Sequence, residues 1–379
     1  MKPRLRVLVV GGPMYDRLYT TIGPFAERER VEIELVRAQN HADLNRRIAE
    51  GFSRGEGFDL LSTHSKFAPS QKQWLQPLDG WFDREELAVF DPRALELARI
   101  EGQLYGLPRN LDVKLLHYRT DRLESPPETW EALVGMARAQ RPYGFVFPGK
   151  GSGLFGHFFE LCGSAGHYLY EADPPRPRAR HEAARWALSV LAALYQTAPA
   201  GLTEWEFDEV TACFAAGKAS LTTDWPGSFH RYLESPIRDR LGLALYPSGP
   251  VRRAIYAGSH TFALAAKTAD RPLALALLRH LTSREAQLLE ARQGTFPARR
   301  DALAAARAEA PPGSLAAQRW ELLEAALQHA CFPPKHPRYP QVEGVVWQNL
   351  RAFLRGEQDA ERTLERIDLE GQRAAEAEF

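Results

Sequence analysis

Cysteine is nearly absent: Cys162, Cys213 and Cys331 are the three in 379 residues. An odd, widely spaced set with no Cys-x-x-Cys pair excludes a disulfide framework and the zinc-ribbon and dithiol redox classes. Charge of one sign is not in excess either, because 48 Lys and Arg balance 48 Asp and Glu for a net charge of +0. Without a basic stripe there is no electrostatic footprint for nucleic acid. No apolar run approaches the roughly 18 residues of a membrane-spanning helix. The N-terminal "MKPRLRVLVVGG" begins basic like a signal peptide, but its apolar run of about four residues is short of the roughly seven to fifteen that an export signal needs. It reads as a first strand ending in a glycine turn. The 11 histidines are scattered, with no His-Glu-x-x-His pair on one helix face. Spacing therefore predicts no metal site, and no cofactor is expected.

The length and a 44% hydrophobic fraction support two cores, each of roughly 150 to 200 residues. "RLRVLVVGG", "VEIELVRA" and "FDLLSTH" are β-rich runs. Between them lie two stretches of helical spacing, "YDRLYTTIGPFAERER" and "ADLNRRIAEGFSRG". That alternation predicts an α/β unit with a parallel sheet, whose ligand loops follow the carboxyl ends of its strands at 11–16 and 62–67. Further on, Thr129 is a predicted N-cap with Glu131 in the first turn of a helix whose Trp130, Leu133, Val134 and Ala137 share a face. A Pro-rich loop at 172–182 precedes the helix "AARWALSVLAALYQ", and "VTACFAAGKASLTTDW" reads as a helix closed by Gly217 and followed by a strand. The two runs around 245 and 260 are extended. Ser283 and Gly294 bound a later helix, 302–310 is read as Ala-rich turns, and the tail is amphipathic and helical.

Two motifs fail on mechanism. "GFVFPGKGS" imitates a phosphate loop through Gly144, Gly149 and Lys150. However, Gly151 stands where a hydroxyl should meet Mg²⁺, and Pro148 lacks a backbone donor. "GKGSG" and "CGSAG" both lack the Gly-x-Ser-x-Gly spacing of a nucleophile elbow. What remains is a set of aromatic and hydrogen-bonding residues at loop positions. Trp74 and Trp81 are expected to pack. Trp225, where a strand turns into Pro226 and Gly227, offers an indole face for stacking. In "LYGLPRNLDVKLLHYRTDRL" a cation, an amide and a carboxylate (Arg109, Asn110, Asp112) stand between a turn and an apolar run.

Five segments, in order, resemble the extracellular solute-binding proteins of carbohydrate ABC transporters, the group that includes maltose-binding protein. These are "FDLLSTHSKFAPSQKQWLQPLDGWF", "EGQLYGLPRNLDVKLLHYRTDRL", "PPETWEALVGMARA", "FAAGKASLTTDWPGSF" and "LRHLTSREAQLLEARQGTFPARRDAL". The resemblance implies an α/β, two-lobed, periplasmic-binding-protein-like fold of the class II type. Each lobe would be a mixed sheet flanked by helices, with multiple hinge crossings. One lobe is placed at 1–110 and 257–305 and the other at 111–256 and 306–379, with a ligand cleft between them. In many relatives an aromatic residue follows the crossing proline, where this chain has Arg109.

The resemblance further implies a non-enzymatic, monomeric, substrate-binding component of an ABC importer that takes a sugar or oligosaccharide and delivers it to a transmembrane permease. The location would be periplasmic or at the cell surface, with this chain a mature form or a member that is not exported. The expected contacts are Tyr15, His64, Phe67, Arg109, Asn110, Asp112, Phe155, Trp225, Gly258, Ser259 and His260. Hydroxyls both donate and accept, and these side chains serve each end while ring faces cover C–H surface. Two alternatives stay open. One is an anionic ligand, such as a uronic-acid sugar or a phosphorylated polyol, met by Arg109 with His64 or Arg299. The other is a carbohydrate-active enzyme using acids such as Asp112 and Asp224.

Overall fold

The computed structural model describes residues 2–171 and 174–377. The chain divides into two compact units. The first holds the chain up to Asp112, Gly258–Ala310 and Lys335–Pro337, and the second holds Val113–Ala257, Pro311–Pro334 and the chain from Arg338 onward.

In the first unit, strands β1 (Arg4–Val10), β2 (Glu32–Ala38) and β3 (Leu60–His64) form the parallel part of a five-stranded sheet. Strand His260–Leu264 closes antiparallel on β3 and on the short strand Leu107–Pro108. Strand side chains alternate between faces, so a sheet covered on both sides needs apolar residues at consecutive positions. Strand β1 supplies them: Leu5, Val7 and Val9 enter one core, while Leu8 and Val10 enter the other. The first core is completed by helix α2 (Ile22–Glu29), through Ile22 and Phe25, and by Leu275 and Leu278 of helix Arg271–Leu281. The second core is covered by Leu44 and Ile48 of helix α3 (His41–Ser53). Each fully buried Val or Leu contributes roughly 1.5–3 kcal/mol, and this double burial fixes where the strand ends fall.

The second unit is built on a four-stranded sheet in the order Leu241–Ala244, Leu115–Arg119, Ala219–Asp224, Tyr143–Val146. The first three are antiparallel neighbours and the last pair is parallel. Thr129 caps helix Trp130–Ala139 by accepting from the Ala132 amide, and Trp130, Leu133 and Ala137 are buried along one face, as their spacing predicts. Helix Phe207–Ala215 gives way to the strand beginning at Ala219 through Gly217, whose φ of 72° is open to glycine at little cost. Helices Tyr339–Leu354 and Ala360–Glu376 form the tail.

Several local expectations change. The segment 15–30 is two helices, α1 (Asp16–Tyr19) and α2, because Thr20 and Thr21 turn their hydroxyls back onto the Arg17 and Leu18 carbonyls and interrupt the ladder. Residues 302–310 lie almost wholly in helix Arg300–Glu309, as the helix propensity of alanine favours. Trp74 stacks on Phe52, but Trp81 is 40% exposed with the Arg271 guanidinium 5.3 Å from its ring centre. The expected loop at 172–182 begins on Ala172 and Asp173, which lie outside the described residues. Its remainder leads into helix Glu182–Tyr195. The phosphate-loop imitation is explained by packing. A Cβ on Gly144 would lie 2.0 Å from the Ala137 carbonyl oxygen, and one on Gly149 would lie 2.0 Å from that of Leu202.

Candidate functional site

The carboxyl ends of the three parallel strands place three loops side by side on the first unit. They carry Tyr15 after β1, His41 after β2, and His64 to Phe67 at and after β3. His260 opens the strand paired with β3, opposite His64. Asn110 locks this corner: its side-chain oxygen accepts from the His260 amide at 2.9 Å, and its side-chain nitrogen donates to Asp112 at 2.9 Å. Ser259 donates its hydroxyl to the Asn110 carbonyl at 2.7 Å. Gly258 is needed for close approach, since a Cβ there would lie 2.5 Å from the His64 ring.

Around this corner sits a cluster of imidazoles. His260 Nδ1 is 2.6 Å from an Asp112 carboxylate oxygen, which can only accept, so Nδ1 carries a proton. Its Nε2 lies 3.1 Å from His41 Nε2 and 3.3 Å from the Tyr15 hydroxyl. The His64 ring is 4.9 Å from that of His260 and 5.8 Å from that of His41. Phe67 closes the group, 6.0 Å from both His41 and His64, with the Lys66 ammonium 4.6 Å from its centre. Burial, together with His260 and the Lys66 ammonium, holds His41 and His64 well below the usual imidazole range, so both are neutral at pH 7.

Arg109 does not join this group. Its Nε donates to Glu290 at 2.9 Å, one terminal nitrogen donates to the Tyr19 hydroxyl at 2.9 Å, and the other reaches the Tyr15 carbonyl at 3.0 Å and Glu290. The residue is 2% exposed. Burial opposes its charge, but Glu290 and Tyr19 outweigh burial and hold the guanidinium protonated. Burial also lifts the Tyr19 phenol to about 12, against the pull of the Arg109 charge. The expectation that Arg109 meets a ligand's charge is therefore corrected: a cation this deep persists only when paired, and its partner is Glu290. Arg299 is likewise engaged, bidentate with Asp301 at 3.0 and 2.7 Å.

In the second unit, Trp225 follows the end of strand Ala219–Asp224 and is half-buried. Its ring lies edge-on to Phe207 and Tyr256, 6.1 and 5.7 Å away. The Lys114 ammonium is 5.4 Å from the Trp225 centre and 5.3 Å from that of Tyr246, while its charge is matched by Glu160 at 3.0 Å. Burial pushes the Glu160 carboxyl up, but Lys114 and His157 prevail and hold it below the usual range. Asp224 accepts from Thr211 at 2.8 Å, from the Trp225 amide at 2.8 Å and from Tyr232. Phe155 is corrected. It is 0% exposed inside helix Gly151–Ser164, stacked on Phe159, because that helix is buried nearly all round and packs as core.

Of the expected residues, Tyr15, His64, Phe67, Asn110, Asp112, Gly258, Ser259 and His260 thus lie around one corner of the first unit. Trp225 stands at a strand end of the second unit. His41 and Lys66, beside this corner, are not among the residues that the sequence singles out. His41 had a signal: the strand-end rule that singles out the loops after β1 and β3 applies equally to "QNHAD" after β2. Lys114 and Glu160 are 46 positions apart, and no motif links them.

Comparison with solved structures identifies the fold. The maltose-bound MalE3 of T. maritima superposes with a TM-score of 0.89 at 24% identity, over 97% of this chain and 99% of that one. A solute-binding protein of Thermotoga lettingae bound with α-D-tagatose gives 0.87 at 20% identity, over 99% and 100%. The Thermus thermophilus maltotriose-binding protein gives 0.83 at 18%, over 98% and 99%. This is the two-lobed α/β fold of binding proteins, with mixed sheets flanked by helices. The family model described as bacterial extracellular solute-binding protein matches residues 20–317, and the chain belongs to that family. Among curated proteins, a probable ABC transporter-binding protein of Deinococcus radiodurans is 28% identical over 243 residues, covering 59% of this chain and 58% of that one. A putative binding protein of Brucella abortus is 24% identical over 223 residues, covering 55% and 54%. The matches thus span little more than half the length of these relatives.

Proposed function

We propose that this protein is the substrate-binding component of an ABC importer. It takes a sugar, oligosaccharide or related polyol without turnover and hands it to a transmembrane permease from the periplasm or the cell surface. The observation that carries the reading is family membership over residues 20–317. Proteins of the same fold have been solved with maltose, maltotriose, α-D-tagatose and ribitol, a set of neutral polyhydroxy compounds.

The chemistry of the candidate residues suits such a ligand. Tyr15, His64, Asp112 and His260 supply donors and acceptors, and a sugar hydroxyl uses both. Trp225 supplies an indole beside a strand end, able to lie against the C–H face of a ring. Asp112 and Asp224 are each hydrogen-bonded within their own unit, an arrangement that suits orientation of neighbours better than proton transfer. With Arg109 and Arg299 both paired, the cations named for an anionic ligand are already committed.

The test is Trp225→Ala, measured by calorimetric titration with the best sugar from a binding screen. Affinity should fall by roughly 1–3 kcal/mol while the melting temperature holds. Unchanged affinity in a stably folded variant removes Trp225 from the site.

A further inference from the structure

From the imidazole cluster of the first unit we infer a binding site for a divalent transition-metal ion, with Zn²⁺ as its best fit, held by His41, His64 and His260. The inference does not rest on the sugar reading, since the donors are defined by geometry within one unit. A ring nitrogen of His64, one of His260 and an oxygen of Asp112 lie within 4.8 Å of one another. His41 Nε2 and His260 Nε2 are 3.1 Å apart, and two nitrogens bound at 2.0–2.1 Å to one tetrahedral ion stand about 3.4 Å apart. That pair is thus close to the spacing an ion needs, and His64 must move inward to join it, its ring centre lying 4.9 Å from that of His260 and 5.8 Å from that of His41.

The support behind one of the ligands, His260, is also present. A metal-binding histidine ordinarily donates its other N–H to a carboxylate or carbonyl, which fixes the tautomer and raises basicity. His260 donates Nδ1–H to Asp112 at 2.6 Å, and Asn110 orients that carboxylate at 2.9 Å. His41 and His64 lack such support: His41 Nδ1 has no hydrogen-bond partner among the described residues, and His64 Nδ1 accepts from the Lys66 amide at 3.3 Å. Three imidazoles leave a fourth position to water, and the Tyr15 hydroxyl stands 3.3 Å from His260 Nε2. Imidazole donors select zinc and its neighbours over calcium or magnesium, which prefer oxygen. One group opposes the ion: the Lys66 ammonium acts electrostatically on both His41 and His64.

The experiment titrates chelator-treated full-length protein with Zn²⁺ by calorimetry, without sugar, and records the visible spectrum with Co²⁺. One equivalent should bind. His260→Gln should weaken binding by about 100-fold or more, and Asp112→Asn by about 10- to 100-fold. His64→Gln and His41→Gln should each weaken it, and Lys66→Met should tighten it severalfold. The Co²⁺ spectrum needs no variant, so the proposal stays testable if His260→Gln fails to fold: intense tetrahedral bands support it, and the weak bands of hydrated Co²⁺ overturn it. Binding of one equivalent that survives all three histidine substitutions, an adventitious ion only, also overturns it, as does no uptake at micromolar metal. Failure here leaves the sugar reading untouched, and failure of the sugar screen leaves this site standing.

Discussion

Arg109 shows how a residue's role is decided by what lies far away in the chain. Its position after Pro108 marks it as a ligand contact, and its partner Glu290 is 181 positions distant, beyond the reach of any local pattern. A buried ion pair adds little net stability, yet removing one member leaves the other charge uncompensated. Arg109→Met should therefore cost about 3–5 kcal/mol in denaturant unfolding, and the double replacement Arg109→Met with Glu290→Gln should recover a large part of that loss. If the single variant unfolds at the same denaturant concentration as the parent, the pair is not what holds this corner. His64, Asp112 and His260 could be named from the sequence as polar residues at strand ends. Their convergence with His41 could not, because the four come from the start of a helix, the ends of two strands and a crossing segment.

At the scale of elements the sequence was more readable, since caps and periodicity are local. Thr129 and Ser283 cap their helices, with Ser283 accepting from the Ala286 amide at 3.1 Å, and Gly294, at a φ of 100°, follows the helix that Ser283 begins. The strand-end rule located the loops after β1 and β3. It would also have located His41 had it been applied to β2. Local pattern misleads where a side chain competes with the backbone, as at Thr20 and Thr21, or where an alanine-rich run forms helix, as at 302–310. In the glycine-rich segment at 144–151, close backbone approach is the reason for Gly144 and Gly149. Gly149→Ala forces a methyl onto the Leu202 carbonyl. It should destabilise the second unit by roughly 1–3 kcal/mol, read as a lower melting temperature. A parent-like melt would show that the backbone there relaxes freely.

For the whole molecule, order of segments carried more than any single motif. Five short stretches in sequence pointed to the family, and the match over residues 20–317 establishes it. The ligand's identity was not legible, because recognition of a sugar depends on angles among side chains from separate loops and leaves no fixed spacing. The most direct test of the central claim is a thermal-shift screen of the purified protein against sugars and polyols, with mass spectrometry of the ligand recovered afterwards. A ligand at about 100 times its Kd stabilises the folded form by about 2.7 kcal/mol, or roughly 5–10 °C for units of this size. The account predicts such a shift from at least one sugar or polyol, recovered chemically unchanged. No shift from any member of the panel, or recovery of a cleaved or modified product, would contradict it.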